Sequence, residues 1–199
     1  MAEANIMEGP VRAGPQLQSI WLGEDRESVR IIDQRYLPFR LVTEEIRSVQ
    51  AMCAAIRDMH LRGAPLIGVA AGYGMFLACR QAQASGRGPE AVREAARALT
   101  STRPTAANLS WAVDRQLQAV ETARTPEERS ARALETAQKI EAEDVECCRR
   151  IGEFGLPLIQ MVYSRTGQPV NVLTHCNAGW LACVRHGTAT AAIYAAHRA

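Results

Sequence analysis

Lysine is almost absent from this chain of 199 residues: Lys139 is the single lysine among 23 basic residues, and the others are arginine. A phosphate-binding loop of the Walker type requires Gly-Lys-Ser or Gly-Lys-Thr. Lys139 lies between Gln138 and Ile140, so that class of nucleotide site is excluded. A Schiff base would also depend on Lys139, which lies in a charged helical stretch and not in the apolar pocket that such a lysine needs.

A large excess of charge is also absent, because 23 basic and 21 acidic residues leave a formal net charge of +2. This balance predicts neither a nucleic acid nor an anionic membrane as a partner. The longest apolar run, residues 64–78, is shorter than the roughly 20 residues that a membrane-spanning helix needs, and glycines interrupt it. We interpret it as a buried core helix.

No secretory signal is recognisable, since residues 1–19 mix Glu, Pro, Gly and Gln without an apolar core. The six cysteines fall mostly in apolar helical patterns and do not form a disulfide framework, so we expect free thiols in a reducing cytoplasm. Cys-x-x-Cys does not occur and the four histidines lack ligand spacing, which predicts no metal site.

The hydrophobic pattern divides the chain into three parts. Residues 1–18 are predicted to be a flexible tail. Residues 19–125 are predicted to form a β-hairpin, with strands at 20–22 and 29–32, and then helices that open at Thr43, Pro65, Glu90 and Pro104. Residues 126–199 are predicted to form a long linking helix capped by Thr125, a strand at 170–175, a loop, and an alanine-rich helix from Gly187.

The predicted strand, loop and helix at the end of the chain form the opening of a βα unit. A parallel strand buried on both faces needs neighbouring strands for its backbone groups. We therefore expect an α/β protein in which an N-terminal helical domain with a small β element is followed by the start of a Rossmann-like parallel sheet, in a chain that is the front part of a longer one. The alternative is that strand 170–175 pairs with the hairpin in a small α+β domain.

An anion site is predicted at Arg62-Gly63-Ala64, directly before Pro65. Proline favours the first position of a helix, so this segment lies where unpaired backbone N–H groups and the helix dipole attract an anion. Arg62 adds a guanidinium suited to phosphate, and Gly63 permits close approach to the backbone. The structural alternative is a simple turn with a solvated arginine. Arg103, directly before Pro104, repeats the arrangement, with the same alternative.

Cys176 is the candidate for chemistry. It follows the predicted strand at the carboxyl end, where open α/β sheets bind ligands, and Asn177 and Gly179 are its predicted site neighbours. A thiol near a helix start can serve as acid, base or charge stabiliser. The alternative is a small buried cysteine. His175 is adjacent in a strand and points to the opposite face, which argues against a Cys–His pair.

Together these segments resemble the methylthioribose-1-phosphate isomerase family, whose wider membership includes the alpha, beta and delta subunits of translation initiation factor 2B. The resemblance rests on five motifs: Ser-Ile-Trp at 19–21, Ile-Asp-Gln-Arg at 32–35, the segment 61–74, Arg-Pro-Thr-Ala-Ala-Asn-Leu at 103–109, and Leu-Thr-His-Cys-Asn-Ala-Gly at 173–179. It covers nearly the whole chain after the tail.

The resemblance implies conversion of 5-methylthioribose 1-phosphate to 5-methylthioribulose 1-phosphate in methionine salvage, by a cytoplasmic homodimer without a cofactor. It implies that Arg62, Gly63, Ala64 and Arg103 bind substrate and that Cys176 is catalytic, with a second catalytic group, an aspartate, beyond residue 199. Proton transfer through an enediolate and hydride transfer both remain open. A related sugar-1-phosphate isomerase, acting on 5-deoxyribose 1-phosphate or ribose 1,5-bisphosphate, and a non-catalytic subunit of the initiation-factor type are the alternatives.

Overall fold

A computed structural model describes residues 5–7, 17–176 and 178–199. Four short strands come first, and they are β1 Asn5–Met7, β2 Ile20–Leu22, β3 Val29–Ile32 and β4 Leu41–Ile46. Six helices follow, and they are α1 Val49–Arg57, α2 Ala64–Ala84, α3 Pro89–Thr102, α4 Ala107–Glu121, α5 Pro126–Thr166 and α6 Ala189–Arg198. Short 3-10 turns occur at Gln34–Tyr36 and Trp180–Ala182. The predicted class, a helical α/β protein with a small β element, is confirmed.

The sheet is antiparallel, with the strand order β1-β4-β3-β2. The predicted hairpin of β2 and β3 is confirmed, with Ile20 opposite Ile31. Residues 5–7 lie within the predicted flexible tail but form β1, because the edge of β4 offers free backbone partners. The tail residues 1–4 and 8–16 lie outside the described part of the chain.

The helix predicted to open at Thr43 begins later, because residues 41–46 form β4. Pairing with β3 explains this difference: Glu45 lies opposite Arg30, and their side chains form an ion pair of 3.1 Å. The helix α1 starts after Ser48, whose hydroxyl accepts a hydrogen bond from the N–H of Ala51 at 3.1 Å. The apolar spacing that predicted a helix therefore applies from residue 49 onwards.

The helix α2 is the centre of the hydrophobic core, and residues 66–79 are all buried. This confirms the interpretation of residues 64–78 as a buried helix. Glycines let its neighbours approach closely: a Cβ on Gly68 would lie 3.0 Å from the carbonyl oxygen of Asn108 in α4, and one on Gly72 would lie 3.3 Å from Ile140 in α5. Among the described helices, none is both long and apolar enough to span a membrane.

Two later boundaries also differ from prediction. The helix α4 begins at Ala107 instead of Pro104, so Arg103 belongs to the end of the preceding helix. Thr125 caps α5 as predicted and accepts a hydrogen bond from the N–H of Glu128 at 3.1 Å. The helix then runs without interruption to Thr166, through Pro157.

The strand predicted at 170–175 is not formed. These residues have no regular secondary structure, and Leu173 is 97% exposed. The alternative pairing with the hairpin is wrong too, since the described sheet contains only the four strands given above. The physical reason is that no strand in the described residues lies beside this segment, so its backbone groups have no sheet partners. Of the predicted βα unit, only the helix is formed, as α6.

Candidate functional site

The predicted anion site lies at the start of α2. Gly63 is the residue before the helix and has φ +110°, a conformation that favours glycine. Proline occupies the first turn, and no side chain of the described residues caps the helix, so the N–H groups of its first turn lack a side-chain partner. Arg62 and Ala64 are exposed. No carboxylate in the described residues lies within ion-pair distance of Arg62, which leaves its guanidinium available to an anion.

The segment that follows the Cys176 motif packs directly onto this helix start. A Cβ built on Gly63 would lie 2.5 Å from the Cα of Ala182, which belongs to the turn Trp180–Ala182. Glycine is therefore required at position 63 for two reasons: the positive φ angle and the close contact with Ala182. The contact joins the motif at 61–74 to a residue three positions after the motif at 173–179, although the two are distant in sequence.

Buried polar groups hold this segment, which we call the 180–184 segment, in place. The side-chain amide of Gln34 donates to the carbonyl of Leu181 at 2.7 Å, and the N–H of Ser19 donates to the carbonyl of Val184 at 3.1 Å. The N–H of Val184 donates to the carboxylate of Asp144 at 2.8 Å. The residue before β2, the turn Gln34–Tyr36 and α5 thus all form hydrogen bonds with the 180–184 segment.

These anchoring residues were not predicted from the sequence. Gln34 and Ser19 lie within motifs that carry the resemblance, and a buried polar residue next to a strand is the signal that could have identified them. Asp144 had no such signal, because it lies in the charged stretch of α5 that resembles a solvated face. Burial raises the pKa of Asp144, and the hydrogen bond from Val184 partly opposes this rise.

Arg103 ends α3, is half-buried, and makes no ion pair within residues 17–176 and 178–199. The helix that follows, α4, also begins without a side-chain cap. Its second residue, Asn108, is the one that contacts Gly68 in the second turn of α2. The starts of α2 and α4 are therefore neighbours.

Cys176 is exposed and adopts φ +69°, and no hydrogen bond or ion pair joins it to Arg62 or Arg103 in the part of the chain described. Gly179 lies against Gly187, where an added Cβ on Gly187 would meet the carbonyl carbon of Gly179 at 2.6 Å. Asn177 lies outside the described residues. The structure thus joins the Gly63 region to the 180–184 segment. The predicted site roles stay predictions, and they concern Arg62, Gly63, Ala64, Arg103, Cys176, Asn177 and Gly179.

Two groups of side chains bring together atoms that could bind a metal ion: Asp33 with Glu44 and His60, and Asp144 with Cys148 and Cys183. The sequence argument against a metal considered only short spacings. It could not detect ligands contributed by segments that are far apart in the chain.

Comparison with known proteins gives consistent results. The model of the initiation factor 2 subunit family matches residues 60–199. Methylthioribose-1-phosphate isomerase of Desulfosudis oleivorans is 48% identical over 178 residues, which are 89% of this chain and 48% of that protein. The same enzyme of Rhodospirillum centenum is 49% identical over 187 residues, which are 94% of this chain and 48% of that protein. The chain spans about half the length of the curated relatives it matches.

Two solved structures are also similar. The crystal structure of 5-methylthioribose 1-phosphate isomerase from Pyrococcus horikoshii has a TM-score of 0.79 at 33% identity, over 94% of this chain and 52% of that one. The crystal structure of translation initiation factor eIF-2B subunit delta from A. fulgidus has a TM-score of 0.77 at 37% identity, over 92% and 52%. Sequence, fold and the matched residues agree that the chain belongs to the initiation factor 2 subunit family.

Proposed function

We propose that this chain is part of an aldose–ketose isomerase that converts 5-methylthioribose 1-phosphate to 5-methylthioribulose 1-phosphate in methionine salvage. The observation that carries the proposal is the identity of 43–50% to curated relatives that bear the name of this isomerase, over 86–94% of the chain. The geometry supports it, because Gly63, within the motif at 61–74, meets Ala182, three residues after the motif at 173–179, at a helix start without a side-chain cap.

In this proposal the start of α2 binds the phosphate group. The backbone N–H groups after Gly63 and the guanidinium of Arg62 supply hydrogen bonds and positive charge, and Arg103 approaches from the neighbouring helix start. The substrate carries its phosphate on the anomeric carbon, so its ring does not open as freely as that of an ordinary sugar. A site that holds the phosphate therefore also holds the part of the ring that must open. An acid must therefore assist ring opening before hydrogen moves from C2 to C1.

Cys176 is proposed to act at these two carbons, as acid, base or charge stabiliser. Its exposure and its left-handed backbone conformation support a thiol that is held outside the packed core. No cofactor enters the scheme, because the aldose and the ketose differ only in the position of hydrogen. We further propose a cytoplasmic homodimer, which the exposed apolar side chains of Phe154, Leu158 and Met161 on α5 support.

The test is steady-state kinetics on the full-length protein that contains this chain. Cys176→Ala should lower kcat by roughly 10²–10⁴-fold, the usual contribution of a positioned acid or base. Cys147→Ala, which removes another exposed thiol, is the matched control and should leave kcat unchanged. Arg62→Ala should chiefly raise KM, by roughly 10–100-fold, because a charged hydrogen bond is lost. A wild-type kcat for Cys176→Ala would show that this thiol takes no part in the reaction.

A non-catalytic subunit of the initiation-factor type is the second candidate, and the similarity to the A. fulgidus subunit delta favours it. Calorimetry with 5-methylthioribose 1-phosphate distinguishes the two candidates. Absence of binding together with stable assembly into a larger complex would support the subunit. Comparison of kcat/KM for 5-methylthioribose 1-phosphate, 5-deoxyribose 1-phosphate and ribose 1,5-bisphosphate identifies the preferred substrate among the isomerase alternatives.

A further inference from the structure

Three side chains of metal-binding type meet at the point where α5 contacts the 180–184 segment. Asp144 and Cys148 lie one turn apart on the same face of the helix, and Cys183 comes from the segment. One carboxylate oxygen and the two sulfur atoms all lie within 4.8 Å of one another. The two cysteines are buried, with 1% and 0% of their surface exposed.

The hydrogen bonds of these three residues leave ligand atoms available. One oxygen of Asp144 accepts the hydrogen bond from Val184, and the other has no partner in the described part of the chain. Both cysteines are free thiols, and they are buried next to each other. Without a metal ion, two buried thiols and a half-buried carboxylate therefore share a site where their polar atoms are only partly compensated.

We propose that Asp144, Cys148 and Cys183 form a binding site for a thiophilic divalent cation of the zinc type. Cysteine sulfur and aspartate oxygen are zinc ligands, and three protein ligands leave a fourth position open. Two thiolates and one carboxylate carry three negative charges, which a divalent cation largely neutralises. Binding displaces the thiol protons, so the site releases protons as it fills.

The other acidic group, Asp33 with Glu44 and His60, does not offer the same opportunity. The carboxylate of Asp33 accepts two hydrogen bonds from the guanidinium of Arg35 at 2.9 and 2.6 Å. The Nδ1 atom of His60 is 2.6 Å from the carboxylate of Glu44. A cation would have to break these contacts, whereas at Asp144 it replaces only thiol protons.

The proposed site borders a cavity through Cys148. This cavity of about 170 Å³ is lined by Cys148, Gly152 and His186 and opens between α5 and α6. Two arginines also line the cavity: Arg149 forms ion pairs with Glu146 and Glu153 at 2.7 and 3.0 Å, and Arg198 adds positive charge.

A bound cation would link α5 to the 180–184 segment. Ala182 of this segment is the residue that touches Gly63 at the start of α2, so the cation would hold the backbone around the candidate anion site. This inference does not depend on the proposed isomerase activity, since a structural cation would serve a non-catalytic subunit equally well.

Cobalt and zinc are the probes for the test. The reduced, chelator-treated protein is titrated with Co²⁺, and sulfur-to-cobalt charge-transfer absorption is expected, followed by its displacement with Zn²⁺. Zn²⁺ should also raise the Tm. Calorimetry in buffers of different ionisation enthalpy should show proton release on binding. Cys148→Ser and Cys183→Ser should abolish the charge-transfer bands, and Asp144→Asn should weaken binding by roughly 10–100-fold or more.

Cys147→Ser is the matched control, because this exposed thiol is adjacent to Cys148 in the chain but is not one of the three ligands. It should bind Co²⁺ like the wild type. Far-UV circular dichroism verifies that each serine variant is folded, and Asp144→Asn tests the site without altering a thiol. The proposal is overturned if no charge-transfer absorption develops, if it survives both serine substitutions, or if intact mass shows only a Cys148–Cys183 disulfide that, once reduced, binds neither ion.

Discussion

The two halves of α5 are continuous in backbone but opposite in environment. Residues 126–150 bury a stripe that includes Ala133, Ala137 and Ile140, and this stripe packs against α2. In residues 151–166, by contrast, Gly152 is the only buried residue, and Phe154, Leu158 and Tyr163 are each more than half exposed. The second half contacts α6 through Gly152 and Gly155 but buries far less side-chain surface than the first half, so helix length is a poor measure of stability along the chain.

The first and largest test of this comparison is a pair of leucine-to-alanine substitutions. Leu66→Ala, in the buried centre of α2, should lower the free energy of unfolding by about 3–5 kcal/mol because it removes packed methyl groups and leaves a cavity. Leu158→Ala, at 63% exposure in the second half of α5, should change it by no more than about 0.5 kcal/mol. Urea unfolding measures both values.

If Leu158→Ala lowers the free energy of unfolding by much more than this, the surface around Leu158 must be covered in solution. Repeating the measurement at several protein concentrations would then identify the cover. A cost that grows with concentration indicates a second copy of the chain, as the proposed homodimer requires.

The second test compares two glycines with positive φ. Gly63, at φ +110°, touches Ala182, whereas Gly86, at φ +66°, has nothing within 4 Å of an added Cβ. Gly86→Ala should cost about 1 kcal/mol, the price of a left-handed residue with a side chain. Gly63→Ala adds a clash with backbone atoms and should cost a further about 1–3 kcal/mol.

Hydrogen exchange gives the structural readout for the same pair. Gly63→Ala should increase exchange at the backbone amides of residues 180–184, because the segment must move away from the new methyl group. Gly86→Ala should leave exchange there unchanged. Equal exchange in the two variants would show that the contact with Ala182 is not tight.

The secondary-structure elements that depend on neighbouring residues in the chain were predicted correctly from the sequence. The hairpin, the Thr125 cap and the buried helix α2 were all recoverable, because each depends on residues within one or two turns of the chain. The sequence-based prediction misplaced β4, where pairing with β3 overrides the helical spacing around Thr43. It also misassigned residues 170–175, whose apolar pattern is typical of a strand but which have no neighbouring strand in the described residues.

The candidate site divides in the same way. The helix start at Gly63 was predictable, because glycine and proline mark it locally. The contact of Gly63 with Ala182 was not predictable, and neither was the hydrogen bond from Gln34 to Leu181, because each joins residues more than a hundred positions apart. The hydrogen bond from Val184 to Asp144 was not predictable either, because it joins a loop to a distant helix. Hydrophobic periodicity predicts which face of a helix is buried. It does not predict which carboxylate on that helix will accept a hydrogen bond from a backbone N–H that is distant in sequence.

The last test contrasts a buried polar contact in the first half of α5 with an exposed ion pair in the second. The hydroxyl of Tyr73 donates to the carboxylate of Glu141, and both groups are largely withdrawn from solvent. Tyr73→Phe should cost roughly 1–2 kcal/mol at pH 8, because it removes the donor of one carboxylate oxygen, while the other keeps the hydrogen bond from the side-chain amide of Gln18 at 3.3 Å. Glu153→Gln, which removes one partner of the exposed Arg149, should have no measurable effect.

The pH dependence of Tyr73→Phe distinguishes a lost hydrogen bond from lost packing. Burial raises the pKa of Glu141, and the hydrogen bond from Tyr73 opposes this rise, so the variant should raise the pKa further. A carboxyl whose pKa is higher in the folded than in the unfolded state binds its proton preferentially in the folded state, so the folded state gains relative stability as pH falls through the raised value. The cost of Tyr73→Phe should therefore shrink between pH 8 and about pH 5, as measured by urea unfolding. A cost that stays constant over this range would mean that the Tyr73 hydroxyl contributes packing alone, and the buried half of α5 would then differ from the exposed half only in apolar contacts.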